Sequence, residues 1–374
     1  MPGHSSAVTT IDDPSLDELC SRLREQSARA DRVEDWPARS LQLCADAGVY
    51  RWFLDAESGG FGWDEIDRTR GYLRLSAADL TTTFVITQYM GAIRRIVSSD
   101  NPQAAQRWLQ PLLDGKAFGT VGISHLTTSR RHLAKPVMRV TELGDGRYQL
   151  DGMAPWVTGA PHADVIVIGG ATDDGREILA AVPTASADTS LANPTAGSAP
   201  RLVTGPGIDL VALSASCTDR VTLTEFIVEP SMLLAGPVAN VMSSGIGART
   251  GGLQTSTLAI GLSRAAVDYL QEEATKREEL RDAATELCSE VDQIETELIR
   301  AAGGDASCDA SELRGRANRL ALRSTQAALT AAKGAGYVTG HPVGRWCQQA
   351  LFFLVWSCPQ PVAQAHLCEL AGLQ

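Results

Sequence analysis

The chain changes its sequence pattern twice along its length, and this change constrains the fold more than any other feature. Residues 14–114 and 238–374 place apolar side chains at three- and four-residue steps, as amphipathic helices do. Residues 115–237 instead consist of short β-branched runs divided by Gly, Pro, Asp and Asn, a pattern typical of strands and turns. The sequence therefore predicts an α+β protein with an N-terminal helical domain, a middle β-barrel or β-sandwich domain and a C-terminal four-helix bundle.

Several segments carry more specific predictions. The run 80–90 is β-branched, but helical sequence flanks it, so we predict a buried helix. The Pro-, Gly- and Ser-rich passage 185–207 predicts an exposed loop. In the C-terminal part we predict long helices over 253–286, 287–301 and 310–332.

Composition excludes several classes of partner and site. With 33 basic and 44 acidic residues the formal charge is −11, which disfavours nucleic acid and anionic membranes as partners. No window reaches the roughly 18 apolar residues of a membrane span, and the N-terminus lacks a secretory pattern, so we expect a cytoplasmic protein. The eight cysteines form no C-x-x-C pair, which predicts reduced thiols and no metal site.

Local strings resemble the acyl-CoA dehydrogenase family across nearly the whole chain. The strings that carry the resemblance are Glu57–Gly62, Gly115–His125, Leu150–Gly152, Trp156–Asp164, Gly334–Tyr337 and Pro342–Arg345. The match is most specific in the middle domain, where Trp156-Val157-Thr158-Gly159 follows the family's W-I-T-N-G pattern closely. The resemblance implies a flavoprotein oxidoreductase that acts on an acyl thioester or a related small molecule.

The resemblance also implies where the cofactor, FAD, would bind. Val121, Ser124, Trp156 and Thr158 would lie beside the flavin ring, because a flavin needs an aromatic or apolar wall and polar groups along one edge. For Trp156 the other interpretation is a plain core residue. The family completes its cofactor site across a subunit interface, so the resemblance predicts a homo-oligomer, either a dimer or a tetramer.

The partner subunit's contribution to that site is altered in this chain. Arg277 would pair with the FAD phosphates, and Gly334 and Gly336 would contribute from the glycine string. The Phe-Gly that normally follows the arginine is missing here. We therefore expect weakly bound FAD, FMN in its place, or no flavin.

The catalytic carboxylate of the family is missing as well. The alignment places Ser357 at its position, and residues 245–255, where some relatives carry the acid instead, contain none. A serine hydroxyl cannot remove a proton near neutral pH without help. His125, which replaces a family glutamate, is the best-matched alternative base, although a hydrogen-bonded structural role is also open.

Arginines supply candidate contacts to the substrate. Arg130 and Arg131 could bind phosphates of a CoA substrate or of FAD, and Arg249 lies in a glycine-rich segment that opens a helix. Adjacent arginines on a solvated loop and an interdomain hinge are the other interpretations. Nothing in the sequence chooses between these interpretations.

Three functions remain open on the sequence alone. The first is an acyl-CoA dehydrogenase-like oxidoreductase with a replacement base. The second is a flavin-dependent monooxygenase of the same fold, which fits the loss of the glutamate better. The third is a non-redox enzyme or binding protein that has lost its flavin.

Overall fold

The computed structural model describes residues 7–28, 32–127, 136–184, 201–243, 253–356 and 360–372. The N-terminal helices are α1 (Ser15–Ser27), α2 (Ala38–Asp46), α3 (Glu65–Ala78), α4 (Leu80–Val97) and α5 (Pro102–Leu113). The middle part contains a one-turn helix, α6 (Ser124–Thr127), and the strands β1 (Gly119–Gly122), β2 (Met138–Gly144), β3 (Arg147–Val157), β4 (Val165–Ala171), β5 (Glu177–Pro183), β6 (Arg201–Thr204), β7 (Asp219–Val228) and β8 (Leu233–Val238). The C-terminal helices are α7 (Leu253–Lys276), α8 (Arg281–Ala302), α9 (Ala310–Gly336), α10 (Pro342–Val355) and α11 (Gln360–Leu370).

This succession confirms the predicted fold class. Helical N- and C-terminal parts flank a mixed sheet, as the change of sequence pattern indicated. The exact division at residues 114 and 237 stays a prediction. No helix within the described residues has the length and hydropathy needed to cross a bilayer.

Helix α4 is the buried helix that the sequence predicted at 80–90, and it continues to Val97. Its start is fixed by Asp79, whose carboxylate accepts hydrogen bonds from the backbone N–H and the hydroxyl of Thr82. The helix packs on α3, α7 and β1, so nearly every face of its first four turns is buried. Burial on all sides explains why the segment lacks an amphipathic pattern.

The strands form one sheet in the described part of the chain, in the order β6-β7-β3-β2-β4-β5-β8, with β1 paired to β4. Strands β1 and β4 run parallel, with Gly119 opposite Val165. The pairs β3–β7 and β2–β3 are antiparallel. This arrangement places β1 between α4 and the end of β3, where the candidate site lies.

Two predicted boundaries are wrong. Residues 253–286 do not form one helix, because α7 ends at Lys276 and α8 begins at Arg281 after a short turn. The predicted loop 185–207 is also wrong over its C-terminal part, because Arg201–Thr204 pairs with β7 as an edge strand. Residues 185–200 lie outside the described part. The break after Lys276 has no Gly or Pro signal in the sequence, whereas Pro200 and Gly205 flank the edge strand directly.

Candidate functional site

The end of β3 is held against β1 by two side-chain hydroxyls. The Ser124 hydroxyl donates a hydrogen bond to the Pro155 carbonyl at 2.9 Å, and the Thr120 hydroxyl donates to the Thr158 carbonyl at 2.7 Å. These two hydrogen bonds restrain the backbone on either side of Trp156. The structure therefore brings together Ser124, Trp156 and Thr158, three of the predicted cofactor residues.

Trp156 has an unusual backbone conformation and an exposed ring. Its φ is 58°, in the left-handed region, and the pairing of β3 with β7 shifts register between Ala154 and Val157. Such a conformation costs a non-glycine residue roughly 1–3 kcal/mol. The indole is 48% exposed although Val157 beside it is fully buried, so this tryptophan does not fill the core. A strained residue with an exposed aromatic ring is a candidate ligand contact.

Thr158 is only 1% exposed. Its hydroxyl lies 3.1 Å from the Thr218 hydroxyl, which lies 2.8 Å from that of Ser216. The three hydroxyls form a buried hydrogen-bonded row at the start of β7.

Val121 lies in the contact between β1 and α4. A side chain added at Gly91 of α4 would come within 3.3 Å of a Val121 methyl and within 3.5 Å of the Arg95 guanidinium, so the valine packs towards α4. Burial, together with the neighbouring Arg94, lowers the pKa of the Arg95 guanidinium to about 10. A cofactor contact of Val121 stays a prediction.

His125 is buried and tied to the sheet. Its Nε2 lies 2.8 Å from the Gly169 carbonyl, which can only accept, so Nε2 carries the proton and donates. Nδ1 has no hydrogen-bond partner within the described residues. Burial lowers the pKa of the imidazole below its usual value. These contacts favour the structural interpretation, and Nδ1 is the only ring atom left for proton transfer.

The predicted phosphate contacts lie in a second group at one end of the bundle. The Arg277 guanidinium donates to the Glu273 carboxylate and to the Ala331 carbonyl, both at 2.7 Å. Gly334 and Gly336 follow a kink at Lys333, whose φ is 55°. Within the described ranges, no hydrogen bond or ring contact joins this group to Trp156. Arg277 is thus already paired inside its own subunit.

The end of α10 carries a third arrangement that the sequence did not predict. Phe84 of α4 packs edge-on against Phe352 and Trp356, with ring centroids 4.9 Å apart in each case. Buried Arg314 of α9 donates to the Trp356 carbonyl at 2.9 Å, and buried Asn318 donates to the Phe353 carbonyl at the same distance. The four-residue spacing of these two polar residues on α9 is the signal that could have revealed it.

Four of the predicted site residues lie outside the described part of the chain. They are the candidate catalytic residue Ser357 and the candidate substrate contacts Arg130, Arg131 and Arg249. Among the residues that are described, no group of three or more His, Cys, Asp or Glu side chains could hold a metal ion. Burial raises the pKa of the Cys20, Cys44 and Cys217 thiols, which keeps them protonated.

No protein-family model matches the chain. It is 21% identical over 342 residues to a Bacillus subtilis protein named as a probable acyl-CoA dehydrogenase, YngJ, and the match covers 86% of each chain. It is 26% identical over 361 residues to the amino sugar nitrososynthase RubN8 of Streptomyces rubradiris, covering 88% of this chain and 82% of that protein.

Solved structures share the fold over almost the whole chain. Butyryl-CoA dehydrogenase from Megasphaera elsdenii superposes with a TM-score of 0.74 at 16% identity, covering 94% of this chain and 97% of its own. The chain has the acyl-CoA dehydrogenase-like fold. The same fold includes the dibenzothiophene monooxygenase TdsC from Paenibacillus sp. A11-2, with a TM-score of 0.70 at 16% identity over 96% of both chains. Acyl-CoA dehydrogenase-fold proteins thus include both dehydrogenases and a monooxygenase.

Compared with the usual acyl-CoA dehydrogenase pattern, this chain keeps the residues around β3 and changes those at the end of α10. By the resemblance, Trp156 and Thr158 match the family's pattern, and Ser357 is predicted at the position of its carboxylate. The buried guanidinium of Arg314 donates a hydrogen bond to the Trp356 carbonyl, one residue before that position. The family's usual chemistry therefore cannot be transferred to this chain from its fold.

Proposed function

We propose that this chain is a flavin-dependent oxidoreductase that oxygenates a small molecule. The observation that carries the proposal is Trp156, an exposed indole held in a strained conformation beside the Ser124 hydroxyl. A flavin ring needs an aromatic wall for its face and a polar group for its edge, and these two side chains fit those needs. When bound, flavin supplies two-electron redox chemistry and, in its reduced form, reaction with oxygen.

The lack of a carboxylate favours oxygenation over dehydrogenation. Removing the α-proton of a thioester requires a base that titrates near the working pH, and Ser357 is not one. Oxygenation needs no such base. It takes two electrons from an outside reductant, places one oxygen atom in the substrate and releases the other as water. The similarity to a nitrososynthase and to a dibenzothiophene monooxygenase supports this choice.

Dehydrogenation of an acyl thioester is the second candidate. It is supported by the similarity to YngJ and to butyryl-CoA dehydrogenase, and by the Nδ1 of His125, which has no hydrogen-bond partner in the described part of the chain. The buried position of His125 and its lowered pKa weaken this candidate, because a ring that binds protons poorly is a poor base at neutral pH. We therefore rank it below oxygenation.

We infer that the flavin is FMN or weakly held FAD. FAD differs from FMN by its AMP half, which Arg277, Gly334 and Gly336 of a second subunit would contact. Arg277 is engaged with Glu273 and Ala331, so binding a phosphate would require breaking at least part of that arrangement. One related solved structure is FMN-bound TdsC, and another is a glutaryl-CoA dehydrogenase with FADH2, so both flavins occur in this fold.

We also propose that the protein is a homo-oligomer, either a dimer or a tetramer. Leu351 and Val355 project from α10 and Leu367 and Leu370 from α11, and all four are exposed. Exposed apolar groups on neighbouring helices are typical of subunit interfaces. Sedimentation velocity would test this directly, since a monomer at micromolar concentration would contradict it.

The reaction class can be tested by mixing the flavin-loaded protein with acyl-CoA thioesters under anaerobic conditions. We expect no bleaching of the flavin absorption by thioesters. After reduction by dithionite, we expect rapid reoxidation on adding air. Bleaching by a thioester without any reductant would instead establish the dehydrogenase, and the next variant would be His125→Gln. A protein that binds neither FAD nor FMN would contradict both candidates.

A further inference from the structure

The backbone around Trp156 is restrained on both sides by residues of other elements, Ser124 of α6 and Thr120 of β1. Ser124 holds the carbonyl of the residue before it, and Thr120 holds the carbonyl of Thr158 two positions after it. Neither hydroxyl belongs to β3. A residue keeps a left-handed conformation only where the surrounding contacts determine it, and these two contacts are placed to do so.

A second layer lies behind Thr158. Its hydroxyl bonds to that of Thr218, which bonds in turn to that of Ser216. The Gly159 N–H donates to the Ser216 carbonyl at 2.8 Å. This second layer therefore ties the end of β3 to the start of β7 through both side chains and backbone, all of it buried.

We propose that Thr120 is a positioning residue that presents the Trp156 indole to a bound ring, with Thr218 supporting it from behind. Thr120 is fully buried and Trp156 is half exposed, so the threonine acts through the backbone and does not touch the ligand. The part of this inference that concerns flavin rests on the proposed function. The part that concerns the conformation of Trp156 does not.

The test uses the full-length protein labelled with 5-fluorotryptophan, whose seven tryptophan resonances include one assigned to Trp156 by its absence in Trp156→Phe. Thr120→Val keeps the shape of the side chain and removes the donor. We expect the Trp156 fluorine resonance to shift or broaden in Thr120→Val and to return in Thr120→Ser, which keeps the hydroxyl. In Thr120→Val we expect flavin affinity to fall by roughly three- to tenfold, and in Thr120→Ser we expect it to return to the wild-type value.

Thr184→Val is the matched control. Thr184 is also buried, and its hydroxyl also donates to a backbone carbonyl, but that carbonyl belongs to Ala163 and not to a residue beside Trp156. This variant should leave the Trp156 resonance in place. If Thr120→Val does not fold, as judged by circular dichroism, Thr218→Val and Thr218→Ser replace the pair.

The outcomes separate the two proposals. A Trp156 resonance that does not respond to the loss of either hydroxyl would overturn the positioning role. An equal response to Thr184→Val would overturn it as well, because the effect would then be general. A response specific to Thr120 in a protein that binds no flavin would support the positioning role while contradicting the proposed function.

Discussion

The end of β3 and the end of α10 differ in how closely their side chains follow the pattern that the resemblance predicts. At the end of β3 the chain keeps Trp156 and Thr158 and surrounds them with hydroxyl contacts from β1 and β7. Just after α10, the resemblance predicts Ser357 at the position of the family's carboxylate, and Arg314 donates a hydrogen bond to the Trp356 carbonyl that precedes it. Our proposal assigns the surface for a flat ring to the end of β3 and no proton-abstracting group to the end of α10. Four predictions test this contrast.

The largest effect is expected at the end of α10. Arg314→Met removes a buried guanidinium that donates to the Trp356 carbonyl, so we expect a loss of about 3 kcal/mol in the free energy of unfolding. Urea unfolding followed by circular dichroism measures it. Arg316→Met is the control, because Arg316 lies on the same helix but pairs with Glu297 closer to solvent, and should change stability by less than about 1 kcal/mol. Equal effects of the two variants would contradict a special role for Arg314.

At the end of β3 we expect a glycine at position 156 to relieve the backbone strain of Trp156. Glycine adopts a positive φ without penalty, so Trp156→Gly should be more stable than Trp156→Ala by about 1 kcal/mol. At Val157, where φ is not positive, the same comparison should favour alanine. Thermal or urea unfolding measures both differences. An alanine variant as stable as the glycine variant would mean that Trp156 is not strained.

The pH dependence of stability should report His125. Burial lowers the pKa of its ring in the folded protein, so the unfolded chain binds a proton more readily. Stability should therefore fall as the pH drops below about 6.5, the ordinary histidine value, and continue to fall until the folded pKa is reached. His125→Gln can still donate to Gly169 but does not titrate, so its stability should depend less on pH in this window. An unchanged pH dependence would show that His125 is not responsible.

The smallest effect is expected at Arg277. Its ion pair with Glu273 is partly exposed, so Arg277→Ala should change stability by less than about 1 kcal/mol. Arg277→Ala should leave the affinity for FMN unchanged. It should weaken FAD binding if Arg277 of one subunit contacts the FAD phosphates in the other. Titrations with the two flavins separate these cases. Equal weakening for FMN and FAD would contradict the assignment of Arg277 to the AMP half.

The sequence predicted the succession of domains because periodicity and turn residues report secondary structure directly. It also placed Ser124, Trp156 and Thr158 in one neighbourhood, through resemblance. It could not predict that Trp156 is strained or that Thr120 and Thr218 restrain it, because those contacts join residues 38 and 60 positions apart. The break after Lys276 was missed for a related reason, since Arg277 is held there by a carbonyl of α9 rather than by a local turn signal.

The most direct test of the central claim is a flavin-binding titration of the wild-type protein and Trp156→Ala, followed by flavin fluorescence. We expect FMN or FAD fluorescence to be quenched on binding to the wild type, because an indole against the ring quenches it, and the alanine variant to bind at least about tenfold more weakly with little quenching. Trp108→Phe, which alters a buried tryptophan of helix α5, should behave like the wild type. Equal affinity and quenching in Trp156→Ala and the wild type would contradict the claim that Trp156 forms the flavin-binding surface.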